Sequence, residues 1–231
     1  MFHSEEYMHQ LIDNLMNSFG DRLIYVGLQG SYMRGEATEI SDIDPMVVID
    51  GLCVSDLDLY KQIITEMDQP EKSCGFICGK QELLRWNPLE ICHLLHTTQD
   101  FFGCLSELVP EYADVDVRNF VKLSVNNLYH EITHRYVHAT PEKNQLKIVG
   151  SYKSVFFILQ NVYYLETGTF VATKRDLCRC LSGLDAEVLA TAMTLMNGTA
   201  FDFEVVFALL HSWCQNMLQR LTLLLRRRQL L

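Results

Sequence analysis

With 231 residues, the chain is long enough for one large domain or two small ones, and 48% hydrophobic and 21% charged residues match a globular protein rather than a disordered one. A net charge of -10 argues against a nucleic-acid partner held on a broad basic face, though not against a small anion held by a metal or a local turn. No run of about 18 apolar residues is present to span a bilayer; the acidic start MFHSEEYMHQ has no apolar signal core, and eight cysteines without a CxxC pair fit the reduced thiols of a cytoplasmic protein.

Residues 4–18 space Tyr7, Met8, Leu11, Ile12, Leu15 and Met16 as one face of a helix, ended by Gly20 and Asp21. RLIYVGLQG is an apolar run closed by glycine and predicts a buried strand, SYMRGEATEI a short helical start and a loop, and DIDPMVVID a second strand. SDLDLYKQIITEM predicts a helix capped by Ser55 with Asp58, and CGFICG a short strand. KQELLRWNPLEICHLL predicts helical pieces interrupted at Pro88, and HTTQDFFG a last strand. The alternation of strands and helices points to a mixed sheet.

Past residue 110 no alternating apolar segment remains. Four helices are expected, over 114–138, 144–166, 173–196 and 202–227. Thr173 with Asp176, Asp185 and Asp202 are the expected caps, and Gly168 and Asn197-Gly198 the stops. The tail RRRQLL suits the negative end of a helix dipole. The chain is therefore expected to be α+β, with a sheet domain over 1–110 and a helical bundle over 111–231.

One stretch carries chemistry. Alternate residues on a strand share a face, so Asp42 and Asp44 present two carboxylates about 7 Å apart along the chain, which suits a hard, oxygen-seeking cation such as Mg²⁺. Gly30 lets backbone approach a ligand, and the N–H groups opening a helix together with the Ser31 hydroxyl suit phosphate oxygens. A metal and a triphosphate held together in this way describe a site for nucleotidyl transfer.

The stretch GLQGSYMRGEATEISDIDPMVVI, with Gly30-Ser31 at a strand end, ten intervening residues, then Asp42 and Asp44 among apolar residues, resembles the signature of the DNA polymerase β-type nucleotidyltransferase superfamily. More narrowly it is similar to the small bacterial members, including the aminoglycoside nucleotidyltransferases, which pair this domain with a helical one. The later stretch YYLETGTFVATKRDL resembles their helical part. The resemblance implies Mg²⁺ on Asp42 and Asp44, the β/γ-phosphates of a nucleoside triphosphate on Gly30 and Ser31, and support of loop or phosphates from Arg34 and Ser41. It implies AMP, from ATP or another nucleotide from its triphosphate, moved to a hydroxyl of a small molecule such as an aminoglycoside-like antibiotic, with pyrophosphate released. The helical domain would select the acceptor, and a homodimer is one arrangement the reading allows.

Two features depart from that pattern. Pro45 removes a backbone donor and belongs at a sheet edge or a bulge. The superfamily adds a third carboxylate on a later strand, and CGFICG has none. Glu82 lies just past it, and Glu131, in the helical half, is the candidate base by similarity to the helical-domain glutamate of aminoglycoside nucleotidyltransferases. Lys153, in the apolar GSYKSVFF, either snorkels to water or meets a triphosphate. The alternatives are a non-catalytic nucleotide-binding module, and a transferase acting on a protein or RNA as in toxin–antitoxin systems.

HEITH, residues 130–134, matches the H-E-x-x-H zinc motif with Glu131 as its base. Position 140, where the extended motif wants a third histidine, is Thr. His138 lies one turn further along the same helix, and three ligands from one helix make a poor tetrahedral cage. His93, His96 and Cys92 are read as ordinary packing.

Overall fold

The computed structural model describes residues 2–228, with side chains through residue 221. The basic tail RRRQLL lies outside the residues described in that detail. The chain divides into two compact units, Met1–Tyr112 and Ala113–Leu231.

In the first unit α1 (Ser4–Phe19) turns Tyr7, Met8, Leu11 and Leu15 inward, as their spacing dictates. Fully burying a side chain such as Leu11 or Leu15 contributes about 1.5–3 kcal/mol relative to exposure. The chain breaks at Gly20 with φ +53 and continues as β1 (Leu23–Gln29), α2 (Gly30–Met33), β2 (Asp44–Ile49) and α3 (Val54–Glu66). Then follow β3 (Phe76–Gly79), α4 (Lys80–Leu83), α5 (Pro88–His96) and β4 (Gln99–Phe102). The strand order is β3-β2-β1-β4. β1 runs antiparallel to β2 and β4, whereas β2 and β3 are parallel.

Side chains alternate across this sheet into two cores. Val26, Leu28, Ile43, Val47 and Ile49 pack with α1 and with Ile63 of α3. Tyr25, Met46, Val48 and Cys78 pack on the other face with Leu83, Trp86, Leu94 and Leu95. Pro45 corrects an expectation. It sits in β2, an inner strand, opposite Leu28. The parallel ladder bridges Ile43 to Ser73 and resumes at Met46 and Phe76, so it lapses where proline has no N–H to give. Gly75 makes room, since a Cβ there would lie 2.3 Å from the Pro45 carbonyl oxygen.

Two caps also differ from expectation. α3 begins at Val54, and Asp56 rather than Asp58 reaches back, accepting from the Cys53 N–H at 2.9 Å; Ser55 lies inside the helix. Pro88 opens α5 rather than interrupting a helix, with Asn87 accepting from the Leu89 N–H at 3.1 Å.

The second unit is all helix among its described residues: α6 (Asp114–His138), α7 (Pro141–Thr167), α8 (Lys174–Cys180), α9 (Gly183–Met196) and α10 (Phe203–Arg228). Its core is built on Val125, Leu128, Tyr152, Phe156, Leu189 and Trp213. The single helix expected over 173–196 is two, parted at Gly183 with φ +57. Thr173 caps α8 and Asp202 caps α10, accepting from the Glu204 N–H at 2.8 Å. Asp185 is no cap. Inside α9, it accepts from Trp213 Nε1 at 2.8 Å and from Arg220 at 2.6 Å. No helix among the described residues is long and apolar enough to cross a membrane.

Candidate functional site

The end of β1 and the start of β2 lie side by side because the strands are antiparallel, with Gln29 paired to Asp44. The Gly30-Ser31 turn therefore emerges against the carboxylate pair. Gly30 has φ +71, and a Cβ on it would lie 1.8 Å from Asp44 Oδ2. No other residue could hold this place without moving the carboxylate. The one-turn helix α2 then leads into a loop drawn back on itself: the Glu36 N–H donates to the Ser31 carbonyl at 2.9 Å, and the Gly35 N–H to the Tyr32 carbonyl at 3.1 Å.

Asp42 is exposed and Asp44 half-buried. Burial raises Asp44 above the ordinary aspartate value, the Asp42 charge raises it further, and Arg34 pulls it down. Two carboxylates that repel, at a position where glycine keeps one oxygen uncovered, fit a hard divalent ion. Arg34 is nearly buried, its side chain 8% exposed, and its Nε donates to Glu36 Oε2 at 3.1 Å. The guanidinium also bears on His93 of α5, whose pKa burial and then that charge push down to about 4, leaving the ring neutral at pH 7.

Ser41 shapes the loop that delivers the aspartates. Its Oγ accepts from the Thr38 N–H at 2.8 Å, and its own N–H donates to the Thr38 carbonyl at 3.0 Å. Lys72 fastens the same loop, donating from Nζ to the Glu39 carbonyl at 2.5 Å and the Ser41 carbonyl at 3.5 Å. Sequence reasoning did not single out Lys72 or the action of the Arg34 charge on His93. Both are long-range effects with no local signature.

Gly30, Ser31, Arg34, Ser41, Asp42 and Asp44 are thus gathered at one end of the first sheet. Glu82 is not among them: its carboxylate lies over Gly79, at the far end of β3. Glu131 and Lys153 belong to the second unit. Glu131, on α6, is ion-paired with Arg135, whose other nitrogen donates to Ser151 Oγ at 2.5 Å. Lys153 is exposed on α7.

The H-E-x-x-H histidines are exposed on α6, and their rings stack along the helix, His130 on His134 at 5.9 Å and His134 on His138 at 4.7 Å between centroids. Among the described residues no group of three or more His, Cys, Asp or Glu side chains is placed to hold a metal ion.

No protein-family model matches the sequence, and no curated protein does. Among solved structures the chain is similar to spectinomycin adenyltransferase AAD(9) from Enterococcus faecialis, crystallised with ATP and spectinomycin. The identity is 15% and the TM-score 0.56, covering 91% of this chain and 99% of that one. A toxin–antitoxin crystallised with AMP-PNP matches at 18% identity and a TM-score of 0.33, over 56% of this chain and 92% of that one, and carries no weight here. The likeness to the adenyltransferase shows the fold. The chain is α+β, with the nucleotidyltransferase-type mixed sheet and a helical C-terminal part.

Proposed function

We propose that the chain is a Mg²⁺-dependent nucleotidyltransferase that moves AMP from ATP to a hydroxyl of a small molecule. The observation that carries this reading is the apposition of Gly30 and Asp44, which sets a Gly-Ser turn against a carboxylate pair at adjacent strand ends. The adenyltransferase of the same fold, crystallised with ATP and spectinomycin, supports a hydroxyl-rich antibiotic of that kind as the acceptor.

In this reading Asp42 and Asp44 hold the metal, which when bound neutralises phosphate charge. The Ser31 hydroxyl and the N–H groups of Gly30 and Ser31 take the β/γ-phosphates, and Arg34 adds positive charge beside them. Ser41 keeps the aspartate loop in shape, and Lys153 is the second cation offered to the phosphates. The acceptor oxygen attacks the α-phosphorus, the bond to the bridging oxygen breaks, and pyrophosphate leaves. The acceptor's proton passes to Glu131, which must first exchange Arg135 for it. The first unit is the nucleotide-binding domain and the helical unit the acceptor-binding one.

Calorimetry with MgATP on the wild type and on the double variant Asp42→Ala, Asp44→Ala tests the nucleotide site. Metal-dependent binding in the wild type, weakened at least ~100-fold in the variant, is the expected result. Equal binding by both, or none by either, overturns it. A second reading, a nucleotide-binding module without turnover, is favoured by one observation: the residue that falls in register with Asp44, two positions before β3, is Cys74, not a carboxylate. Pyrophosphate release in a screen of hydroxylated antibiotics separates the two.

A further inference from the structure

We propose that the two neutral residues flanking Asp44, Gln29 and Cys74, hold this site to a single divalent ion per bound nucleotide. The inference rests on the nucleotide-site reading above. It begins with register. Ile43 bridges Ser73, and Met46 pairs with Phe76, so the same register sets Cys74, in the short stretch between that bridge and β3, beside Asp44. The faces agree: Ile43 packs in the core with α1, and Met46 and Cys78 line the opposite core. By register Asp44 and Cys74 therefore fall on one face of the sheet, with neighbouring strands spaced about 4.8 Å apart.

The other flank of Asp44 is Gln29. Its amide nitrogen donates to Thr98 Oγ1 at 2.8 Å. One step further along the same face stand Met46, Phe76 and Gly27, none of which offers a side-chain oxygen to a hard cation.

Three other carboxylates near this sheet are engaged or distant. Glu36 is paired with Arg34. Asp100, on the far side of β1 opposite Gly27, accepts from the Tyr25 hydroxyl at 2.6 Å. Glu82 lies over Gly79.

The ligand chemistry then limits the ion count. Mg²⁺ keeps several waters and is satisfied by one or two carboxylates plus phosphate oxygens, which Asp42, Asp44 and a triphosphate supply once. A second ion about 3.5–4 Å away is best held by a further hard oxygen ligand. A thiol is a soft donor and an amide a neutral one, so neither serves. Activation of the acceptor hydroxyl then falls to a protein base instead of a second ion.

The test counts Mn²⁺ by electron paramagnetic resonance on the full chain saturated with α,β-methylene ATP. One Mn²⁺ per chain is expected for the wild type and for Cys74→Ser. Two are expected for Cys74→Asp, with Gln29→Glu serving the same purpose from the other flank if Cys74→Asp does not fold. Two ions in the wild type overturn the inference and leave the nucleotide-site reading standing. If Glu131→Gln then drops that count to one, the further acid comes from the helical unit. One ion in both acidic variants overturns the assignment to these two positions. No Mn²⁺ or nucleotide bound by the wild type defeats the underlying reading itself.

Discussion

At the C-terminal end of β2, Arg22 donates to the carbonyl of Asp50 at 3.0 Å, to that of Gly51 at 3.1 Å, and to both oxygens of Asp56, at 3.1 and 2.6 Å. At the N-terminal end of the same strand, Asp42 and Asp44 repel each other, and one of them is half-buried. Arg22, then the Cys53 N–H, hold Asp56 well below the ordinary carboxylate range, whereas burial holds Asp44 above it. One end closes its polar groups into a network, and the other leaves charge to be satisfied from outside. Violations of local consistency concentrate where a protein binds or reacts, and here they lie within one strand of a fully consistent counterexample.

The most damaging single change is at Gly30. Gly30→Ala puts a Cβ in a left-handed residue against Asp44, and should destabilise the first unit by about 1–3 kcal/mol while abolishing metal-dependent ATP binding, read by denaturant melts and calorimetry. Arg22→Leu attacks the other end. It should lower Tm at pH 7 and leave MgATP affinity unchanged. Because Asp56 is depressed when folded, its stabilisation is present above the unfolded value and lost as pH falls through the folded one. The gap between Arg22→Leu and wild type should therefore close in acid.

Asp44→Asn should do the opposite. A carboxyl raised on folding favours the native state only while protonated, so the charged form weighs against folding as pH rises through the folded value. The variant should melt higher than wild type at pH 7 in the absence of metal, lose that advantage in acid, and gain nothing from Mg²⁺, whereas Mg²⁺ should raise wild-type Tm. Ser41→Ala is the mildest change. Losing the bond from the Thr38 N–H should cost about 0.5–1.5 kcal/mol and weaken MgATP binding only a few-fold, visible as a shift in the calorimetric Kd.

Much of this was legible before any coordinates. The α+β class follows from strand alternation giving way to long apolar helices, and the resemblance of the motif implies one site for the Gly30-Ser31 turn, Asp42 and Asp44. What stayed hidden depends on register and tertiary contact. Cys74 has no local mark that sets it beside Asp44; only the β2–β3 pairing does. Pro45 reads as an edge residue until Gly75 is seen to accommodate it. Asp185 carries a helix-start signal, yet its partners Trp213 and Arg220 come from a different helix, so the cap prediction loses to a long-range network. Glu131 shows the same limit: the pattern of residues names it as a base, while Arg135, one turn along α6, holds its carboxylate.

The Asp185 network has a consequence for the order in which the protein is made. Every strand of the sheet lies between Leu23 and Phe102, so its pairing partners are all present once the first half has left the ribosome. The helical unit has no such early closure. Glu166 and Asp185 both wait for Arg220, and the fully buried Trp213 arrives only shortly before it. At roughly 5–20 residues per second, the nascent α9 spends a few seconds with an acidic residue facing a place its partner has not reached. A chain that stops short of α10 thus lacks the cation that both Glu166 and Asp185 take, and the indole that Asp185 accepts from.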